Sequence, residues 1–129
     1  MEELLYEQES YKIRGAVFAI YKEYRNYHKE KIYHNSLYND LLKLGFKVER
    51  EKRIKVTRDG QVVGTYVPDL VIDDKTIIEL KCKPKILISD RRQFWTYLKG
   101  SNYKLGFLIN FGTENGVEIE RKIFTKSFA

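Results

Sequence analysis

Apolar residues recur every three or four positions over residues 7–24, at Ile13, Val17, Ile20 and Tyr24. That spacing predicts an amphipathic first helix with one core-facing stripe. A charged break covers residues 28–31. Leu37, Leu41 and Leu44 then repeat the helical spacing, so a second helix is expected, capped by Asn35 or Ser36 and ended by Gly45. Beyond it the pattern changes to alternation. Residues 46–56 read as a strand, and Asp59-Gly60 turns the chain back. Residues 61–72 and 76–82 are two further strands rich in β-branched side chains, with Asp73-Asp74-Lys75 as the turn between them. Pro68 marks an irregularity or an edge within the first of these. Asp90, with Gln93 three residues on, resembles a capping box for a third helix that Gly100 closes. Residues 104–111 and 117–124 follow as strands. A meander of three strands and then a crossover through a helix places the chain in the α/β (α+β) class. The expected architecture is a mixed central sheet flanked by helices, with a right-handed crossover.

Composition narrows the setting. A chain of 129 residues with 43% hydrophobic and 14% aromatic content fits one folded domain, 1–129, with a core of its own. No apolar run approaches the length of a membrane span, and the acidic start MEELLYEQES lacks the regions of a signal peptide. The single cysteine, Cys82, cannot form an internal disulfide and reads as a buried core residue. A cytoplasmic location without membrane contact is therefore expected. The net charge of +6 collects in residues 43–58 and 81–92 and near Arg121 and Lys122. Such clusters either solubilise the surface or bind nucleic acid.

The chemistry concentrates in VPDLVIDDKTIIELKC. Alternation puts Glu79 and Lys81 on one face of a strand, roughly 6.8 Å apart at about 3.4 Å per residue, with Ile78, Leu80 and Cys82 on the other. If the turn is centred on Asp74, Asp69 stands opposite Glu79. Two facing carboxylates repel, and a divalent cation would convert that repulsion into a ligand pair. The competing reading is an ordinary solvated strand face. Bases on either side of such a site suit the phosphates of a nucleic acid.

The order of elements, together with SYKIRGAVFAIYKE, SLYNDLLKLGFKVE, YVPDLVIDDKTIIELK, QFWTYLK and KLGFLINFG, resembles the PD-(D/E)XK nuclease superfamily over residues 10–111. More closely, it resembles the small bacterial and archaeal GxxExxY proteins. The resemblance implies a restriction-endonuclease-like core and phosphodiester hydrolysis of DNA with Mg²⁺ or Mn²⁺. Asp69 and Glu79 would be metal ligands, with the Leu80 carbonyl also available. Lys81 would position or activate the attacking water. Gln93 and Tyr97 match a Q-x-x-x-Y signature and complete the catalytic set. The namesake motif falls on residues 32–38, IYHNSLY, which keeps Tyr38 but has Ile32 at the glycine and Asn35 at the glutamate. Asn35 or its neighbour His34 would then have to replace an acid as ligand, unless Asn35 is only a helix cap. That departure leaves a second reading open, a non-catalytic nucleic-acid-binding module on the same fold. A structural or oligomerisation role is a third, and a homodimer stays open.

Overall fold

The computed structural model describes residues 6–124. Two helices come first, α1 (Glu7–Tyr24) and α2 (Glu30–Lys43). Strands β1 (Val48–Glu49), β2 (Ile54–Arg58), β3 (Gln61–Tyr66), β4 (Leu70–Ile72) and β5 (Thr76–Lys81) follow. Helix α3 (Ile88–Ser101) then leads to β6 (Leu105–Asn110) and β7 (Glu118–Ile123). The main sheet has the order β1-β4-β5-β6-β7, and β2-β3 form a separate two-stranded sheet. Pairing is antiparallel except between β5 and β6, which run parallel and are joined through α3. The expected mixed sheet flanked by helices is therefore present.

Alternation assigns the two faces of the sheet. Ile78, Leu80, Phe107 and Ile109 join Ile13, Val17, Tyr33, Leu37 and Leu41 in one core beneath α1 and α2. Val71, Ile77 and Leu108 join Phe94 and Leu98 of α3 and Ile54, Val56 and Tyr66 of the hairpin in a second core on the opposite face. Glu79 and Lys81 share their parity with Ile77, so they fall on the α3 side. Cys82 is half-buried rather than fully buried, packed against the first core with its Sγ 3.5 Å from the His28 carbonyl.

Several local expectations give way to tertiary structure. Residues 46–56 and 61–72 do not form continuous strands. Each is divided between the two sheets, the first near Glu51, whose φ is +57°, and the second at Val67-Pro68-Asp69. Pro68 lacks the N–H that a ladder needs, so the chain can leave one sheet and enter the other there. The second helix starts at Glu30, five residues before Asn35, so neither Asn35 nor Ser36 caps it. Leu44 follows the last helical turn and is exposed, and Phe46 enters the core instead. The third helix starts after Leu87 and ends at an Asn102 cap in the left-handed region, which puts Gly100 inside it. No helix among the described residues is long and apolar enough to cross a membrane.

Gly100 is where α3 meets the hairpin. A Cβ there would lie 2.5 Å from Val56 Cγ1 and 3.3 Å from the Thr57 carbonyl oxygen. Alanine raises helix propensity by about 1 kcal/mol over glycine. Overpacking a filled contact costs typically about 1–3 kcal/mol. Since the Thr57 oxygen is backbone and cannot rotate away, the steric cost is expected to win. Gly100→Ala should lower the melting temperature, and Val56→Ala in the same chain should recover part of the loss. A melting curve for Gly100→Ala at or above that of the wild type would refute the close contact.

Candidate metal-binding and catalytic site

The site forms where β4 begins and β5 ends. The β4–β5 ladder stops at Leu70↔Ile78, so Asp69 lies one step beyond it, on the side facing Glu79 and Leu80. Asp69 Oδ2 accepts the Leu80 N–H at 2.7 Å. In extended backbone the carbonyl points the same way as its own N–H, so the Leu80 carbonyl lies towards Asp69. Glu79 Oε1 accepts the Tyr66 hydroxyl proton at 2.9 Å, and its carboxylate also takes the Asp69 backbone N–H. Glu79 is pushed up to about 7, first by burial and then by the charge of Asp69, against the lowering pull of Tyr66 and Lys81. The facing pair expected from the hairpin is thus present, and the Asp69 charge adds to burial in raising Glu79.

Lys81 emerges two residues on and lies 4.0 Å from Asp90 at the start of α3. Asp90 is buried and also accepts both the Leu87 N–H at 2.9 Å and the Lys83 ammonium at 2.9 and 3.1 Å. Those bonds hold its carboxylate below the usual range, the Leu87 N–H most strongly. One turn along α3, Gln93 and Tyr97 line a single pocket with Tyr66, Glu79, Lys81 and Asp90. Tyr97 stacks on Tyr66 with ring centroids 4.2 Å apart and planes within 7°. The sequence-derived residues Glu79, Lys81, Gln93 and Tyr97 therefore line one closed crevice, too narrow in this conformation to admit a water molecule. Asp69 does not line it but couples to Glu79 from the edge of β4.

Helix α2 supplies an acid that the motif placement missed. The Glu30 carboxyl is raised by partial burial and then by Asp69, while Lys81 and His34 pull it down. It therefore lies within electrostatic reach of both Asp69 and Lys81. Its position follows from Tyr33, whose fully buried ring stacks on Phe111 at 4.6 Å. The Tyr33 hydroxyl donates to the Arg25 carbonyl at 2.6 Å and accepts the His28 N–H at 3.2 Å, which fixes the α1–α2 turn. Asn35 sits mid-helix, and its side chain has no hydrogen bond among the described residues. His34 faces Glu30 rather than replacing it, and its Nε2 is buried without a hydrogen-bond partner among the described residues. The E-x-x-Y spacing of Glu30 and Tyr33 was legible in the chain. Asp90 was legible only as a cap, and nothing in the local pattern singled out Tyr66.

Oxygen donors suit a hard divalent cation, and the Asp69 charge acts on both Glu79 and Glu30 with Lys81 as the base that offsets it. Among the described residues, no three His, Cys, Asp or Glu side chains are gathered closely enough to hold a metal ion. The donor chemistry fits a cation held mainly by Asp69 and Glu79, with Glu30 approaching from α2.

A family model described as the PD-(D/E)XK nuclease superfamily matches residues 7–122. Neither a curated protein nor a solved structure gives a significant match.

The raised Glu79 has a thermodynamic consequence. Its folded value of about 7 exceeds the ordinary glutamate value of 4.5, so the stability it contributes is full below pH 4.5 and lost as pH rises through 7. A shift of that size corresponds to a loss on the order of 3 kcal/mol. Glu30 shifts in the same direction. The metal-free protein should therefore melt at lower temperature at pH 8 than at pH 5. Glu79→Gln, which keeps an acceptor for Tyr66, should flatten that slope and melt higher than the wild type at pH 8. Equal pH slopes for the two proteins would exclude a buried, raised Glu79.

Proposed function

Because the chain belongs to the PD-(D/E)XK nuclease superfamily, we propose that it is a metal-dependent nuclease hydrolysing phosphodiester bonds of DNA. The observation that carries this reading is the half-buried Glu79 carboxylate, raised to about 7 by burial and Asp69, two residues from Lys81. A structural strand face gains nothing from burying an acid against another acid. A cation site does.

Within the superfamily, the chain fits the GxxExxY proteins with the motif on residues 27–33, where Tyr27 takes the glycine place and Glu30 and Tyr33 are kept. The acid that Asn35 seemed to have displaced is then present, and the main argument for a non-catalytic module falls away. In this reading, Asp69 and Glu79 would hold Mg²⁺ or Mn²⁺ together with the Leu80 carbonyl, and Glu30 would add its charge from α2. The bound cation would polarise the scissile phosphate and acidify an attacking water. Lys81, steadied by Asp90, offers positive charge to the phosphoryl oxygens as negative charge develops on them. Gln93 orients the strand at the pocket wall. Tyr97, half-buried and stacked on the buried Tyr66, offers the aromatic edge for a base or sugar, with the Tyr66 hydroxyl fixing Glu79.

Cation binding must displace the proton that Glu79 holds near neutrality, so affinity should rise with pH and binding should release protons. Calorimetry at pH 6.5 in buffers of different ionisation enthalpy is expected to report that release, and Glu79→Gln should remove most of it. Cleavage of branched, duplex and single-stranded DNA, each with Mg²⁺ and with Mn²⁺, tests the activity. Glu79→Gln and Lys81→Met should each lose at least about a hundredfold, the scale on which removing one preorganised charge-stabilising donor acts. Glu30→Gln should weaken metal binding, whereas Asn35→Ala should leave it unchanged. DNA binding with no cleavage under any of these conditions would favour the non-catalytic module.

A further inference from the structure

The β2–β3 hairpin stands apart from the main sheet, and its two faces differ. Ile54, Val56 and Tyr66 are buried against α3, and Thr57 Oγ1 reaches the Gly100 carbonyl at 3.4 Å. Alternation sends Lys55 and its cross-strand partner Thr65 to the other face, and both are exposed. Arg53 is exposed just before the hairpin, next to its site end, and Arg58 is exposed at the tip. Val62 and Val63, 58% and 63% exposed, lie near the tip without cover. The hairpin's first and last paired residues are Ile54 and Tyr66, and Tyr66 is the residue bonded to Glu79. The outward face therefore begins at the pocket and runs away from it.

Its charge is also unspent. Beside the pocket and the β4–β5 turn, three bases are held in ion pairs. Lys83 pairs with Asp90, Arg91 with Glu120, and Lys52 with Asp74 and Glu49. The side chains of Arg53, Lys55 and Arg58 have no ion-pair or hydrogen-bond partner among the described residues. Three uncompensated cations on a strand pair, leading out of a site built for a phosphodiester, complement a polyanionic backbone. We propose that the outward face of this hairpin is a docking wing for a nucleic-acid strand. Arg53 and Lys55 on that face, and Arg58 at its tip, contact phosphates of the segment beyond the scissile bond, and Tyr66 ties the wing to Glu79.

The inference rests on the nuclease reading for the path of the strand, but its test measures binding in EDTA, where no cleavage occurs. Failure of one therefore leaves the other standing. The probes are fluorescein-labelled single-stranded and duplex oligonucleotides, titrated by anisotropy from 50 to 200 mM salt. Arg53→Ala/Lys55→Ala/Arg58→Ala is compared with Lys12→Ala/Lys22→Ala/Lys43→Ala, which removes the same charge from α1 and α2 beneath the opposite face of the sheet. One phosphate per base predicts that the hairpin variant lowers the slope of log affinity on log salt by about 2.7 on duplex and about 2.1 on single strands. Its affinity at the lowest salt should fall at least about tenfold, with the control close to wild type. If the triple variant melts early, the single Lys55→Glu is judged by the same comparison. Equal losses in the two triple variants, no loss in either, or no binding by the wild type at the lowest salt would each overturn the proposal.

Discussion

Everything around the pocket is arranged about one awkward burial, the Glu79 carboxylate on the α3 face of β5. Strand alternation forces it there, because Ile78 and Leu80 are needed in the core beneath α1 and α2. An acid in that position must be hydrogen-bonded, neutralised or paired with a cation. The chain does the first with Tyr66 and the Asp69 N–H. Asp69 raises the Glu79 pKa while its own Oδ2 is committed to Leu80. The nearest base, Lys81, is shared with Asp90. The arrangement satisfies hydrogen bonds while leaving charge uncompensated, which is what separates it from an ordinary buried acid.

That burial also explains why the hairpin is where it is. Tyr66 can reach Glu79 only if β3 ends over the α3 face, and β3 ends there because Pro68 breaks the strand before β4. The Tyr66–Tyr97 stack and the Val56–Gly100 contact then clamp the hairpin to α3 at two points. The loop after β5 is held separately. Buried Asn110 accepts the Lys83 N–H at 3.0 Å and donates to the Lys83 carbonyl at 2.9 Å, and Glu118 Oε1 accepts the Ile86 N–H at 2.9 Å. Lys81, Lys83 and Asp90 are thus positioned by β6 and β7 as much as by their own segment.

The bases divide into two populations with different physics. Lys52, Lys83 and Arg91 sit in ion pairs whose partners are ordered by other bonds, so their charge is spent within the molecule. Arg53, Lys55 and Arg58 keep theirs for the solvent, and at an exposed surface such charge acts mainly on polyanions and falls off with salt. Net charge alone does not separate these populations, and the +6 of the chain would be the same had the pairing been reversed.

The chain by itself determined a good deal. Local periodicity gave α1 to its bounds, and β-branched alternation with Asp73-Asp74 gave the β4–β5 hairpin, since both signals arise within a few residues and needed no partner. Strand alternation put Glu79 and Lys81 on one face and the hairpin register put Asp69 opposite Glu79, whereas Gln93 and Tyr97 were marked only by the family resemblance, with helical spacing placing them on one side of α3. What only tertiary structure decided was how the strands were shared out. Residues 46–56 and 61–72 look continuous because alternation reports that a residue is half-buried, not which sheet buries it. The start of α2 at Glu30 was hidden for a related reason. An Asn or Ser before an apolar run is a good cap in isolation, but burial of Tyr33 against Phe111 extends the helix past it. Glu30, Tyr66 and Asp90 became part of the site through contacts with segments 9 to 51 residues away in sequence, where local pattern carries no information.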